Sequence, residues 1–215
     1  MIKLSKRLQA IYDLANGNVI ADIGCDHGYI PLKLDQKKHK KVYACDVAQG
    51  PLSRAQALFE KENAKIDTIL MDGISALPED VDQVIIAGMG GKLIESILEK
   101  GKDKLVNVDS LILSPHRNAE SLRSYLIKNH FRIEKERLVF EEDHAYWIMY
   151  CRKGSQTLSD WQVWYGAHVK EDDDYRKYLK IEKLKWEDLQ NKVPTSRFEE
   201  GKARLKWLDS KISQS

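Results

Sequence analysis

The chain has 215 residues, enough for one ordinary domain and an appendage, with 42% hydrophobic and 32% charged positions. Its apolar runs, such as 84–87 and 111–113, are far too short to span a bilayer, and Lys3, Lys6 and Arg7 interleave with Leu4 and Leu8 where an export signal would be basic and then continuously apolar. A formal charge of +2 does not announce a nucleic-acid binder, although local basic patches remain available to one.

Residues 4–14 place Leu4, Leu8, Ile11 and Ala15 at helical spacing. A buried parallel strand is predicted over 19–23, followed by a glycine-containing turn and a short helix over 30–34. The next strand, 42–45, ends at Asp46, and Pro51 opens a helix running to about Glu62. Residues 66–71 read as a third strand ending at Asp72-Gly73. Residues 81–87 read as a fourth, stopping in Gly88-Met89-Gly90-Gly91 before a helix with Leu93, Ile94, Ile97 and Leu98. A fifth strand at 111–113 is broken by Pro115 and followed by a helix over 119–130. Residues 132–140 and 146–152 look like an antiparallel pair. Strand alternating with helix implies an α/β fold, a doubly wound, mostly parallel sheet with ligands beyond the carboxyl ends of its strands.

Past Gly154 charges become dense, and Leu179, Leu184, Trp186, Leu189, Leu205, Leu208 and Ile212 recur at helical spacing around a break at Pro194. Two amphipathic helices packed as a coiled-coil-like hairpin are expected, giving a first domain over 1–154 and a helical one over 155–215. Cys25, Cys45 and Cys151 are widely spaced, at or near predicted strands, and read as buried free thiols of a reducing compartment. No close Cys/His cluster suggests zinc, no metal is expected, and the expected location is cytoplasmic.

The first turn carries the chemistry. Asp22, Gly24, Asp26, His27 and Gly28 sit between a strand and a helix, where a ligand can approach bare backbone near the positive end of the helix. A dinucleotide fingerprint needs glycines at its first, third and sixth positions, which here hold Gly24, Asp26 and Tyr29. A pyrophosphate would meet a carboxylate and a bulky ring, which argues against an oxidoreductase. The pattern Asp-x-Gly-x-x-x-Gly (Asp22, Gly24, Gly28) instead resembles the first motif of class I methyltransferases that use S-adenosylmethionine, whose sulfonium tolerates carboxylates. That resemblance implies a Rossmann-like sheet whose last strand is antiparallel.

Within that resemblance Asp46, with Val47 beside it, is placed to accept ribose hydroxyl protons of an adenosyl group; the plainer alternative is a cap on the following helix. Asp72 could take the adenine amine, with Met71 and Gly73 flanking the ring, or could simply form an Asp-Gly turn. Asp26 lines the site or caps a helix, and His27 is a structural group or a base. Gly88, Met89, Gly90 and Gly91 occupy the place where amino-methylating relatives carry Asp or Asn with prolines. They offer only backbone and a thioether, suited to close approach of a flat base, or else a tight packing turn.

Ser5-Lys6-Arg7-Leu8, Asp22-Ile23-Gly24 with Asp26-His27, Gly88-Met89-Gly90-Gly91, Pro115, Leu122-Arg123 and a charged helical tail together are similar to the bacterial tRNA (adenine-22, N1) methyltransferases, the TrmK family. The resemblance covers essentially the whole chain and implies methyl transfer from S-adenosylmethionine, leaving S-adenosylhomocysteine, to N1 of an adenine in the tRNA D-arm. Ser114-Pro115-His116 stands where that family leads one to expect Gln-Pro-Asn. Expected site residues are Asp26, Gly88, Met89 and Gly90 at the reacting centre. The cofactor is expected on Asp22, Gly24, Asp26, His27, Gly28, Asp46, Val47, Met71, Asp72, Gly73 and Gly88. The substrate is expected on Lys6, Arg7, Met89, Gly90, Gly91, Pro115, His116 and Arg123. The expected partner is tRNA, with no membrane and no metal, and a monomer favoured. In the tail Arg176, Lys177, Lys180, Lys183 and Lys185, interleaved with Tyr175, Tyr178 and Trp186, form either an RNA-binding row or a solvated helix face, and residues 171–174 would repel RNA locally. Methylation of another RNA base or a small molecule, and a non-catalytic adenosyl- or tRNA-binding adaptor, are the competing readings.

Overall fold

The computed structural model describes residues 2–37, 39–194 and 198–213. Seven strands form one sheet: β1 (Val19–Ile23), β2 (Lys41–Asp46), β3 (Asp67–Leu70), β4 (Gln83–Met89), β5 (Ser110–Pro115), β6 (Phe131–Glu141) and β7 (His144–Lys153), in the spatial order β3-β2-β1-β4-β5-β7-β6. The first five pair in parallel, and β7 runs antiparallel to both β5 and β6. From β1 the chain builds outward to β2 and β3, then returns on the opposite side of β1 as β4. Strand order therefore reverses between β1 and β4, which opens a crevice at their carboxyl ends.

Flanking the sheet are α1 (Lys6–Leu14), α2 (Tyr29–Asp35), α3 (Gln49–Lys61), α4 (Gly91–Lys100), α5 (Ala119–Lys128) and α6 (Asp160–Tyr165), with a 3-10 turn at Lys102–Leu105. Ser5 caps α1, its hydroxyl accepting the Leu8 N–H at 3.4 Å. Ile11 and Leu14 of α1 and Ile30 and Leu34 of α2 then pack against Ile20, Ile85, Ile112 and Ile148 from four strands. Each such fully buried side chain contributes about 1.5–3 kcal/mol of burial free energy. Every residue of β1 is buried, the carboxyl of Asp22 included among its apolar neighbours.

At the amino ends of the strands, buried Gln83 ties several segments together. Its Oε1 accepts the Asn16 and Gly17 N–H groups at 3.0 and 3.1 Å, and its Nε2 donates to Asn16 Oδ1 at 3.0 Å and Ser110 Oγ at 2.7 Å. Tyr150 Oη donates to the same Asn16 Oδ1 at 3.2 Å.

Several boundaries differ from the sequence reading. β4 does not stop before the glycines: it continues through Gly88 to Met89, because a bulge after Ala87 restores pairing of Met89 with Pro115. Pro115 therefore ends β5 as a paired residue instead of breaking it earlier. The 3-10 turn and α6 carry no expectation from the sequence. α6 opens on a capping box in which Ser159 and Gln162 satisfy each other's backbone N–H groups.

The chain divides into two compact units, 1–168 and 169–215, so α6 belongs with the sheet. In the second unit α7 (Asp173–Gln190) packs on α8 (Glu199–Ser213) around Tyr175, Leu179, Phe198 and Leu208. The contacts Lys211–Glu171, Lys183–Asp209 and Trp186–Phe198 run in opposite order along the two helices, which are antiparallel. Leu184 and Leu189, read as part of the apolar seam, are exposed. No helix among the described residues is long and apolar enough to cross a membrane.

Candidate active site

A cavity of about 650 Å³ opens where strand order reverses. It is floored by the ends of β1, β2 and β4 and closed by residues of α1, α2 and α4.

The turn after β1 is held by backbone. Gly24 and Cys25 both donate N–H to the Cys45 carbonyl, at 2.8 and 3.0 Å, and Gly24 has φ +75°, a conformation only glycine adopts freely. Asp22 points into the cavity yet is 3% exposed. Burial, and secondarily the charge of Asp46, push its carboxyl up to about 7. Asp46 Oδ1 accepts the Ala48 N–H at 3.0 Å, and Oδ2 lies 3.5 Å from the Asp26 N–H. One oxygen thus holds the turn leading into α3, whose N-cap is Ala48 with no side-chain cap bond, while the carboxylate also faces the cavity. Val47, Met71, Asp72 and Gly73 line the same wall.

Asp26, at φ +48°, is bracketed by two nitrogen-bearing side chains: its Oδ2 is 2.7 Å from His27 Nδ1, and its Oδ1 is 3.4 Å from Arg54 Nη2. The His27 ring stacks on Tyr29, centroids 5.6 Å apart and 14° from parallel. Gly88 (φ +82°) and Met89 form the opposite wall, and the Met89 methyl reaches over Gly24, 2.4 Å from where a Cβ there would stand. Arg7 and His116 complete the lip, Arg7 Nη1 lying 2.8 Å from His116 Nε2. Burial, then the charges of Arg7 and His144, lower the His116 pKa below 6.5. The imidazole is therefore neutral at pH 7, with Nε2 accepting from the guanidinium and the ring proton on Nδ1.

Thirteen sequence-distant expectations are gathered here: Arg7, Asp22, Gly24, Asp26, His27, Asp46, Val47, Met71, Asp72, Gly73, Gly88, Met89 and His116. Others do not line the cavity. Gly28, at φ +73°, supports the turn by letting it approach Phe59, whose ring lies 2.6 Å from a Cβ built there. Gly90 caps α4, its carbonyl accepting the Leu93 and Ile94 N–H groups, and Gly91 begins that helix, a Cβ on it falling 2.4 Å from the Asn118 carbonyl. Gly91 is thus required by packing, whereas a Cβ on Gly90 would meet only the Arg117 side chain at 3.4 Å. The Met89 carbonyl accepts the His116 N–H at 2.9 Å. Pro115 is buried in β5, and Lys6 is exposed away from the cavity.

Arg123 is the clearest correction. It is fully buried, Nε donating to Glu136 Oε1 at 2.9 Å, Nη1 to the Val163 carbonyl at 2.8 Å, with the guanidinium 4.3 Å from the Trp147 centroid. Glu136 Oε2 accepts the Ala167 N–H. A guanidinium so enclosed cannot meet an RNA phosphate. In the tail, likewise, Tyr175 is buried, Arg204 covers Trp186 at 4.7 Å, and Arg176, Lys183 and Lys185 are paired with Asp173, Asp209 and Glu182. Tyr29, Leu8, Leu93 and Ile97 line the cavity without having been expected there. Tyr29, three residues from Asp26 at the first position of α2, was the one with a readable signal.

The residues fit an adenosyl sulfonium compound on the structure's own terms: a buried carboxyl that a cation would ionise, two positive-φ glycines beneath it, and a second carboxylate at a strand end. No group of three or more His, Cys, Asp or Glu among the described residues is arranged to hold a metal ion.

Comparison with known proteins agrees. Residues 4–149 match the family model for a methyltransferase domain. A Bacillus subtilis tRNA (adenine(22)-N(1))-methyltransferase is 36% identical over 160 residues, 72% of this chain and 67% of that protein. Solved structures extend the likeness to the tail. A Mycoplasma capricolum TrmK in complex with S-adenosyl-homocysteine superposes with a TM-score of 0.85 at 28% identity, covering 98% of each chain. A Streptococcus pneumoniae protein in complex with S-adenosyl-L-methionine gives 0.88 at 29% identity, covering 98% of this chain and all of that one. The crevice, the strand order and these likenesses converge: the chain belongs to the class I methyltransferase-domain proteins, in the family of the bacterial tRNA (adenine(22)-N(1))-methyltransferases.

Proposed function

We propose that this protein methylates N1 of adenine 22 in the D-arm of tRNA, using S-adenosylmethionine. The observation that carries the reading is the cavity in which Asp22, Gly24, Asp46, Asp72 and Gly88 converge from the ends of three strands and the loop after β3. When bound, the cofactor supplies an electrophilic methyl group on a sulfonium sulfur. Asp46 holds the ribose hydroxyls, Asp72 and Met71 the adenine ring, and Asp22 the positive end.

The chemistry asks little more of the protein than placement. Adenine N1 is neutral at pH 7 with a free lone pair, so no proton must leave before it attacks and no general base is required. The N1–carbon bond forms as the carbon–sulfur bond breaks, its electron pair staying on sulfur. Positive charge moves onto the adenine, where the Asp26 carboxylate, itself steadied by His27 and Arg54, stabilises it electrostatically. Met89 and Gly88 leave room for a flat base unstacked from the RNA and exclude water around it. Arg7 and His116 face the RNA, and the helical unit at 169–215 adds a second RNA contact through exposed cations such as Lys180.

The test is methyl transfer from labelled S-adenosylmethionine to unmodified tRNA transcripts, one with adenine and one with guanine at position 22. Label appearing only with adenine, and recovered as 1-methyladenosine, supports the reading. Label on neither transcript, with cofactor binding intact, overturns the substrate.

A further inference from the structure

We propose that Tyr146, acting with His116, is a positioning residue that holds the Arg7 guanidinium at the cavity lip to receive a phosphate beside the target adenine. The inference deepens the reading just given and rests on it for the identity of the RNA.

Three segments distant in sequence meet here. Arg7 lies in the first turn of α1, His116 just after β5 and Tyr146 on β7. Arg7 Nη1 is 2.8 Å from His116 Nε2, the guanidinium carbon is 5.0 Å from the Tyr146 centroid, and His116 meets Tyr146 edge-on with centroids 5.4 Å apart at 72°. A surface arginine ordinarily samples many rotamers; this one is gripped from two sides, so little freedom remains to be lost when it binds an anion. The grip abuts Gly88: a Cβ there would stand 3.8 Å from both Arg7 Nη1 and His116 Nε2.

Charge indicates what the guanidinium is for. The described residues lining the cavity include four aspartates, Asp22, Asp26, Asp46 and Asp72, but only one lysine or arginine, Arg7. A polyanion entering such a mouth is repelled unless a cation stands at its edge. Arg7 Nε is also shielded from solvent and has no hydrogen-bond partner within the protein. A neutral His116 is needed for this arrangement, since an imidazolium would oppose Arg7. His144, 6.4 Å from Tyr146 between centroids, adds to that pressure toward neutrality.

The experiment measures tRNA affinity of the full chain at several salt concentrations, alongside calorimetric S-adenosylmethionine affinity and steady-state kinetics. Variants are Tyr146→Phe, Tyr146→Leu, His116→Leu and Arg7→Gln. Tyr146→Phe keeps the ring and is expected to match the wild type. Tyr146→Leu and His116→Leu are expected to weaken tRNA binding and raise its KM about tenfold, with kcat within about twofold and cofactor affinity unchanged. Arg7→Gln should lower the slope of log affinity against log salt by about one, the signature of one lost phosphate contact. An unchanged slope in Arg7→Gln, equal tRNA affinity in Tyr146→Leu, or cofactor affinity falling in step with tRNA affinity overturns the proposal. If Tyr146→Leu melts early, His116→Leu carries the same comparison. Because affinity and slope are read without turnover, a wild type that binds tRNA yet leaves adenine 22 unmodified refutes the reaction and not the phosphate contact.

Discussion

Asp22 and Asp46, near the carboxyl ends of neighbouring parallel strands, turn their carboxyls into one cavity, and Asp46 adds to the burial that pushes Asp22 up to about 7. Without cofactor, Asp22 is therefore half protonated near neutrality. A carboxyl whose folded pKa lies above its unfolded value of 3.8 favours folding while protonated, and that contribution is lost as pH rises from about 4 to about 7. At about 1.4 kcal/mol per unit, the loss amounts to about 4 kcal/mol. Asp22→Asn should flatten this part of the stability profile, measured as denaturation midpoint against pH. It should also weaken cofactor binding tenfold or more. In the wild type, a cationic cofactor should bind more tightly as pH rises through 7 and release a proton, visible calorimetrically in buffers of different ionisation enthalpy.

Arg123 and Glu136 form an ion pair with both side chains withdrawn from solvent. Removing one partner leaves an uncompensated buried charge, which costs about 3–5 kcal/mol, whereas replacing both with apolar groups of similar size costs far less. Arg123→Met should thus lower the unfolding free energy by that amount, and Arg123→Met with Glu136→Leu should recover most of it. Chemical denaturation of the two variants decides it.

The same pair determines where the chain can be cut. Arg123 donates to the Val163 carbonyl and Glu136 accepts from Ala167, so residues 155–168 complete the first unit. Truncation after His168 should leave cofactor affinity within about twofold of the full chain while lowering activity on tRNA. Truncation after Gly154 should lower the melting temperature by ten degrees or more. Thermal melts and cofactor titrations of the two fragments separate these outcomes.

Two glycines should respond in opposite directions. Gly28→Ala places a Cβ 2.6 Å from the Phe59 ring at φ +73° and should cost about 2–4 kcal/mol. Gly50→Ala, in α3 with nothing nearer than Arg54 Nη1 at 3.8 Å, should instead stabilise by about 0.5–1 kcal/mol. Denaturation midpoints of both variants are the check.

Much of the site was legible because it lies where apolar runs stop. Asp22 and Gly88 are the next-to-last residues of their strands, Asp46 ends one and Met71 follows one, and topology brings strand ends together without reference to side-chain detail. What spacing could not convey was pairing across the sheet. Arg123 stands beside Leu122 on α5, and nothing local says that Glu136 waits on β6 to bury it. Gly88 and Met89 looked like a loop because a bulge interrupts the apolar pattern while preserving the ladder. Trp186 looked free for stacking until Arg204, on the other helix of the pair, covered it. α6 drew no expectation because its segment is too short for periodicity to mark, although Ser159 and Gln162 stand at capping-box spacing.

Gln83 gives the sheet two poles of different character. At one, its amide joins the loop before β1 to the start of β5, and shared Asn16 draws in Tyr150 of β7. At the other, the same strands fan out into loops whose side chains meet mainly around open space. Folding information is concentrated at the first pole and chemical information at the second. Substitutions around the crevice mouth, such as His116 where the family pattern leads one to expect asparagine, can therefore retune what is bound while the sheet's register stays anchored from behind.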